Sequence, residues 1–244
     1  MYSLTRKIEY RINRLAGQLM LKVREITKPQ VVEISGIQLP IPNNISRGPL
    51  EALYAGYYEA SELKIIKANL DKHDRVMELG TGLGLLASYC ARKLGSDNVF
   101  TYEANPALES CIRQTFSLNN VNPHLNICLL GETSGEQTFY IGKSFWSSST
   151  IKRKPDDQVI HVPVVPFNQE IQRIDPTFLI MDIEGGEYEL FQYANLHNVK
   201  KICIELHSAI LGSEKTEFVQ KKLADQGFHL DTKEQYANEL FFCR

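Results

Sequence analysis

No two of the five cysteines (Cys90, Cys111, Cys128, Cys203 and Cys243) stand in a C-x-x-C pair. That scatter excludes a zinc ribbon and a disulfide framework, and it points to a reducing, cytoplasmic setting. No apolar run reaches the roughly 18 residues of a membrane span. The first residues lack the apolar core of a signal peptide, so none is expected. Charge of one sign is not in excess either: the net charge of −2 gives no pull toward nucleic acid. Tryptophan occurs once, and no repeat or low-complexity tract is present. What remains is 43% hydrophobic and 23% charged residues over 244 positions. That suits one large globular domain, or one domain with an extension, able to bury a full core.

Residues 1–28 differ from the rest in charge. Seven basic residues (Arg6, Lys7, Arg11, Arg14, Lys22, Arg24, Lys28) face two acids, Glu9 and Glu25. Leu4, Ile8, Ile12, Leu15, Leu19, Val23 and Ile26 recur at helical spacing until Pro29 stops the pattern. The expectation is a basic amphipathic helix whose aliphatic stripe packs on its own domain or on a partner subunit. Peripheral membrane contact through residues 1–28, and a homo-oligomer, stay open, although the stripe has no Trp or Phe anchor. The expected division is 1–44 for this helix and its connector, and 45–244 for the main domain.

The chain is organised around Val76-Met77-Glu78-Leu79-Gly80-Thr81-Gly82-Leu83-Gly84. This reads as a buried strand, a glycine turn, and a helix from Leu85 to Leu94 stopped by Gly95. Such a turn offers backbone N–H groups at a positive helix end, and glycine leaves room for a ligand against the backbone. A dinucleotide site needs Gly-x-Gly-x-x-Gly, but here the third glycine comes one position early, at Gly84. Glu78 would repel a pyrophosphate and suits a cationic, amino-acid-bearing ligand.

Residues 51–70 read as one helix leading into that strand. Asn98 to Glu103 is a second strand, and its terminal Glu103 lies about 20 residues past the glycines, where an acid accepts from ribose hydroxyls. Pro106 to Asn120 is the next helix, and Leu125 to Leu130 a third strand ending at Glu132, which could accept from an adenine amino group. Gln137 to Ile141 and Val159 to Val165 read as strands flanking a loop. That loop holds Trp146, placed there by ligand contact or by packing, and Lys152-Arg153-Lys154, taken as a solvated basic tract. Phe178 to Met181 is a buried strand running into Asp182-Ile183-Glu184-Gly185-Gly186-Glu187. Lys201 to His207 follows, with Cys203, Glu205 and His207 on one face by alternation. A helix from Lys215 to Gln226 and a closing antiparallel hairpin complete the chain. Successive strand–helix units predict an α/β fold with a parallel sheet.

The Glu78-x-Gly-x-Gly-x-Gly turn, Tyr102-Glu103-Ala104-Asn105-Pro106 and Asp182-x-Glu-Gly-x-Glu together resemble the FkbM-type methyltransferase family. Glu205-Leu206-His207 and the serines at 147–149 fit it too, and the similarity covers roughly residues 45–244. Two positions depart from the family's usual turn, Thr81 and Leu83, and Ile180 stands where it often has Lys. The resemblance implies a Rossmann-like seven-stranded class I methyltransferase sheet with helices on both faces. It also implies S-adenosylmethionine (SAM) as methyl donor and O-methylation of a hydroxyl on a sugar or secondary-metabolite-like small molecule. Glu78, Gly80, Thr81, Gly82, Gly84, Glu103, Ala104, Glu132 and Asp182 are then the expected cofactor residues. His207 is the expected base, with Asp182 or Glu184 orienting it or the acceptor. The carboxylates could instead hold a divalent metal, or Glu184 and Glu187 could simply favour a helix start. The rival functions are a nicotinamide-dependent oxidoreductase on a related fold and a non-catalytic SAM-binding scaffold.

Overall fold

The computed structural model describes residues 17–43, 45–142, 148–234, 236 and 238–244. Residues 17–27 form helix α1. A short hairpin follows, β1 (Val31–Ile34) and β2 (Ile37–Pro40), turning at Ser35 and Gly36, both at positive φ. Two residues at positive φ are what a tight hairpin turn needs. Val32, Ile34, Ile37 and Leu39 are buried in the same core as Leu83 and Ile112, so the hairpin is part of the main body.

The expected single helix over residues 51–70 is two, α2 (Arg47–Ala55) and α3 (Ala60–Asn69). Gly56, left-handed at φ 76°, caps α2 by donating its N–H to the carbonyls of Ala52 and Leu53. Glu59, also left-handed, starts α3, so Tyr58 and Glu59 project from a bend.

The central sheet has seven strands: β3 (Val76–Leu79), β4 (Val99–Glu103), β5 (His124–Ile127), β9 (Phe178–Met181), β10 (Lys201–Glu205), β11 (His229–Leu230) and β12 (Glu239–Cys243). Their order is β11-β12-β10-β9-β3-β4-β5, parallel except for β12. This is the expected Rossmann-like sheet, with its chain reversal between β3 and β9. Every residue of β3 and of β9 is buried, as a strand covered on both faces requires. Alternation sends Val76, Phe178 and Cys203 to one face, under α3, α4 (Leu85–Leu94) and α5 (Glu109–Leu118). Met77, Leu179 and Ile202 go to the other, under α6 (Phe167–Ile174), α7 (Glu187–Phe191) and α8 (Ser208–Asp225).

Three further expectations change. The strand over 125–130 breaks at Cys128: β5 stays in the main sheet. Its continuation β6 (Leu129–Gly131) joins a second sheet with β7 (Gly135–Ile141) and β8 (Gln158–Pro166), in order β6-β8-β7. Helix α6 is unannounced in sequence, because eight residues carry only Phe167, Ile171 and Ile174 as an apolar stripe. Helix α8 begins at Ser208, seven residues early, with a break at Gly212.

Helix α1 touches the body along Gly17, Leu21 and Arg24, not along the stripe. Leu21 packs on the core, and Arg24 Nη1 donates to the carbonyls of Leu53 (3.1 Å) and Tyr54 (2.9 Å). A Cβ at Gly17 would lie 3.3 Å from the Ala55 carbonyl oxygen, so a small residue permits this approach. The stripe residues Leu19, Val23 and Ile26 face outward, Ile26 at 83% exposure. The part of the expected basic helix before residue 17, and Trp146, lie outside the described residues.

Candidate active site

A cavity of about 750 Å³ opens at the carboxyl ends of β3, β4, β9 and β10, where open α/β sheets place ligands. One wall is the glycine turn. Gly80 sits at φ 89°, and a Cβ there would fall 1.8 Å from the carbonyl oxygen of Asp182. The N–H of Gly80 meets Tyr102 O, and the N–H of Asp182 meets Leu79 O, both at 2.9 Å. Three strand ends are thus locked at one point. Gly82, at φ 57°, lies under the bend between α2 and α3: a Cβ would sit 2.4 Å from Tyr58 Oη and 2.9 Å from Glu59 Oε1. Tyr58 Oη in turn accepts from the Leu83 N–H at 3.1 Å.

Glu103 ends β4 against this turn. Its carboxylate accepts from the N–H of Gly82 (3.1 Å) and of Asn105 (2.8 Å). Burial outweighs these bonds and raises its pKa to about 7. Gly80, Gly82, Glu103, Ala104, Glu132 and Asp182 all line the cavity. Glu78, Thr81 and Gly84, also expected there, do not. Glu78 is 1% exposed and accepts from Thr101, which also meets Thr81; burial lifts its pKa to about 8. Strand alternation explains this, since Glu78 points under α4 rather than off the strand end. Gly84 serves packing: a Cβ would press on Phe116 of α5 at 3.0 Å.

The opposite wall joins the three expected catalytic residues. His207 Nε2 lies 3.7 Å from Asp182 Oδ1 and 3.5 Å from Glu184 Oε2. Two residues not assigned from sequence complete the group. Glu187, 0% exposed, bonds His207 Nδ1 through Oε1 at 2.8 Å, and Glu205 Oε1 lies 3.6 Å from Nε2. Burial alone would lower the pKa of His207. The Glu187 hydrogen bond and the charges of Asp182, Glu187 and Glu184 outweigh it and raise the value to about 9. Asp182 is pushed well above the usual carboxylate range by burial, then by Glu205 and Glu184.

Glu184 holds a left-handed backbone at φ 55°, an uncommon state for a residue with a Cβ. Its carbonyl accepts from Ser149 Oγ (2.8 Å) and Arg153 Nη2 (2.7 Å), and its carboxylate from Arg153 Nη2 (2.9 Å). Arg153 therefore belongs to the site, not to a solvated basic tract. It lies between β7 and β8, so the second sheet contributes to the cavity.

Among the described residues, eight carboxylates line this cavity (Glu59, Glu62, Glu103, Glu132, Asp182, Glu184, Glu189, Glu205), against two cationic groups, Arg153 and His207. A cationic ligand is the electrostatic complement. SAM fits on three observations: its sulfonium and ammonium suit the acidic walls, Glu103 can take its ribose hydroxyls, and Leu108, Leu129 and Leu130 offer apolar cover.

A putative protein N5-glutamine methyltransferase of Methanocaldococcus jannaschii is 25% identical over 214 residues, covering 82% of this chain and 89% of its own. Among solved structures, a ribosomal protein L11 methylase from Lactobacillus delbrueckii subsp. bulgaricus aligns with a TM-score of 0.45 at 13% identity, over 75% of this chain and 74% of that one. M. jannaschii TYW2, crystallised with SAM, aligns with a TM-score of 0.43 at 13% identity, over 88% and 85%. The model of the methyltransferase FkbM domain matches residues 73–230, from just before β3 to the end of β11. That match takes in both walls of the cavity, and the chain belongs to the FkbM family of SAM-dependent methyltransferases.

Proposed function

We propose that this enzyme methylates a hydroxyl oxygen of a small molecule, of the sugar or secondary-metabolite kind, seated between Arg153 and His207. The observation that carries the reading is the position of the Asp182–Glu184–His207 group, across one cavity from the glycine turn. SAM supplies a methyl already activated on sulfur; as the acceptor oxygen takes it, the C–S bond breaks and the acceptor's proton must leave. Gly80 and Gly82 leave the turn open, and Glu103 fixes the ribose. Glu187 orients the His207 ring through Nδ1. With its pKa near 9, His207 keeps its proton at neutral pH, so it positions the acceptor oxygen by donation. The proton then passes to a carboxylate, Asp182 or Glu184; a raised pKa suits Asp182 to that task. This moves the base from the histidine to its acidic neighbours, while the same three residues remain the catalytic group. Arg153 and Ser149 hold Glu184 in its strained backbone.

The named relative raises a second reading, transfer to a glutamine side-chain nitrogen of a protein. One experiment separates the two: incubation with methyl-labelled SAM and fractionated cell extract. Label retained in small molecules as a base-stable methyl ether supports the hydroxyl reading, whereas label released by base as methanol marks a carboxyl ester and counts against it. Label in protein, recovered as methylglutamine after enzymatic digestion or as methylamine after acid hydrolysis, overturns it.

A further inference from the structure

We propose that Asp182, Glu205 and Nε2 of His207 form a site for one divalent cation of the magnesium and manganese class, with Glu184 at its margin. The inference deepens the hydroxyl-methylation reading and rests on it for its role, though not for its geometry. One ligand atom from each of Asp182, Glu205 and His207 lies within 4.8 Å of the others. Nε2 stands 3.5–3.7 Å from three carboxylate oxygens. That is longer than an N–H···O hydrogen bond, which spans about 2.7–3.2 Å. Ligands that sit side by side about 2.1 Å from one ion stand roughly 3.0 Å apart, so the group would close on an ion by shifts of about half an ångström.

Two observations independent of the clustering point the same way. Asp182 Oδ1 has no accessible surface and no hydrogen-bond partner, while the rest of its side chain opens on the cavity. His207 Nε2, 3.7 Å away, is too far to donate to it, so this buried oxygen lacks the close partner that an ion held between the two would supply. Nδ1 of His207 is held at 2.8 Å by Glu187, which is fully buried. A carboxylate behind the far ring nitrogen is the usual way a metal-binding imidazole is aimed. Two carboxylates with one imidazole suit manganese(II) among the oxygen-preferring ions, and magnesium would lean on the carboxylate oxygens. A neighbouring trio, Glu62, Glu205 and Glu239, is less apt. It offers carboxylates alone, with no imidazole aimed from behind as Glu187 aims His207.

A cation here would take the acceptor oxygen as a further ligand and lower its pKa, and the released proton would go to Glu184. Asp182 and His207 would then serve as ligands, and metal activation would replace donation from the ring.

The test uses the full chain, freed of metal with a chelator and titrated with manganese(II), with bound ion read from loss of the free-ion electron paramagnetic resonance signal. The expected result is one ion per chain. Binding should weaken at least about 10-fold in Asp182→Asn, Glu205→Gln and His207→Ala, and by about 10-fold in Glu187→Gln, which only positions the ring. Each variant is first shown to bind S-adenosylhomocysteine like the parent, which separates ligand loss from unfolding. No binding by the parent at millimolar manganese overturns the proposal, as does unchanged binding in all four variants. Loss in Glu239→Gln with retention in His207→Ala also overturns it, because the ion then sits at the neighbouring trio. A parent that binds S-adenosylhomocysteine but no ion sinks the cation site alone. A parent that binds the ion but no S-adenosylhomocysteine sinks the cofactor reading alone.

Discussion

The two walls of the cavity are built from different materials. The wall assigned to the cofactor is mostly backbone: glycines at positive φ, amide N–H groups, Glu103 pinned between two of them, and Glu59 over Gly82. The wall assigned to the acceptor is mostly charged side chain: Asp182, Glu184, Glu187, Glu205 and His207, with Arg153 reaching in from the segment between β7 and β8. Backbone recognition depends on close approach and responds to pH only through Glu103. A side-chain cluster depends on protonation and tolerates small shifts of backbone. Mutations on the two walls should therefore fail in different ways.

The largest expected effect is the one that erases this distinction. Gly80→Ala places a Cβ where the Asp182 carbonyl stands and forces an L-residue to positive φ. Overpacking and left-handed strain together cost about 3 kcal/mol. The variant should lose thermal stability, S-adenosylhomocysteine binding and turnover together; a variant with parental melting and affinity would break the idea of a shared hinge point.

Next in size, Asp182→Asn and Glu184→Gln should cut turnover by about 100-fold while S-adenosylhomocysteine affinity holds, seen by calorimetry beside a labelled-methyl assay. Equal losses in binding and turnover would place these residues on the cofactor wall instead. Glu103→Ala should do the reverse and weaken the cofactor product by about 1.5–3 kcal/mol. Because burial holds Glu103 near pKa 7 and ribose hydroxyls favour its ionised form, parental affinity should improve as pH rises through 7. A pH-independent affinity would mean that the carboxylate does not meet the ribose. The smallest effect belongs to Glu132→Gln at the exposed rim, about 0.5 kcal/mol in the same titration.

Stability without ligand gives one more contrast. Burial raises Glu62 and Glu103 to about 7 and Glu78 to about 8, far above ordinary carboxylates. The folded state then binds more protons than the unfolded chain, so this stability is complete below about pH 4 and is lost through pH 7–8. His207, raised to about 9, runs in the same direction: its share is complete below about pH 6.5 and lost as pH passes 9. Thermal unfolding of the ligand-free protein should accordingly drop from pH 6 to pH 9, and Glu78→Gln should flatten the fall. A midpoint that stays level over that range would show that these acids are already ionised in the fold.

The sequence was most readable where a strand runs straight into its functional residues. β3 leads into Gly80, β4 ends at Glu103, and β9 leads into Asp182, so hydrophobic runs located each of these strand ends. Residues that meet only through the fold were not readable. Arg153 was lost because its partner, Glu184, comes 31 residues later. Tyr58 and Glu59 were hidden inside a long helical pattern, whose break depends on one left-handed glycine. β6 was missed because the apolar run through Cys128 gives no sign of a change of sheet. Alternation put Glu205 and His207 on one face, and they do meet at 3.6 Å, although the strand ends at Glu205 and His207 is the residue that starts α8.

The contact between Gly80 and the Asp182 carbonyl also bears on how such a gene would read under mutational scanning. Every replacement at codon 80 adds at least a methyl group, so all nineteen should be depleted, alanine included. The pattern would resemble that of a residue touching two ligands, although glycine has no side chain with which to touch either. Second-site suppressors should map to the Asp182–Gly186 segment, which carries the opposing carbonyl, rather than to the rest of the turn. A suppressor search at this codon would thus measure, by inheritance alone, how tightly the two halves of the catalytic cleft are tied.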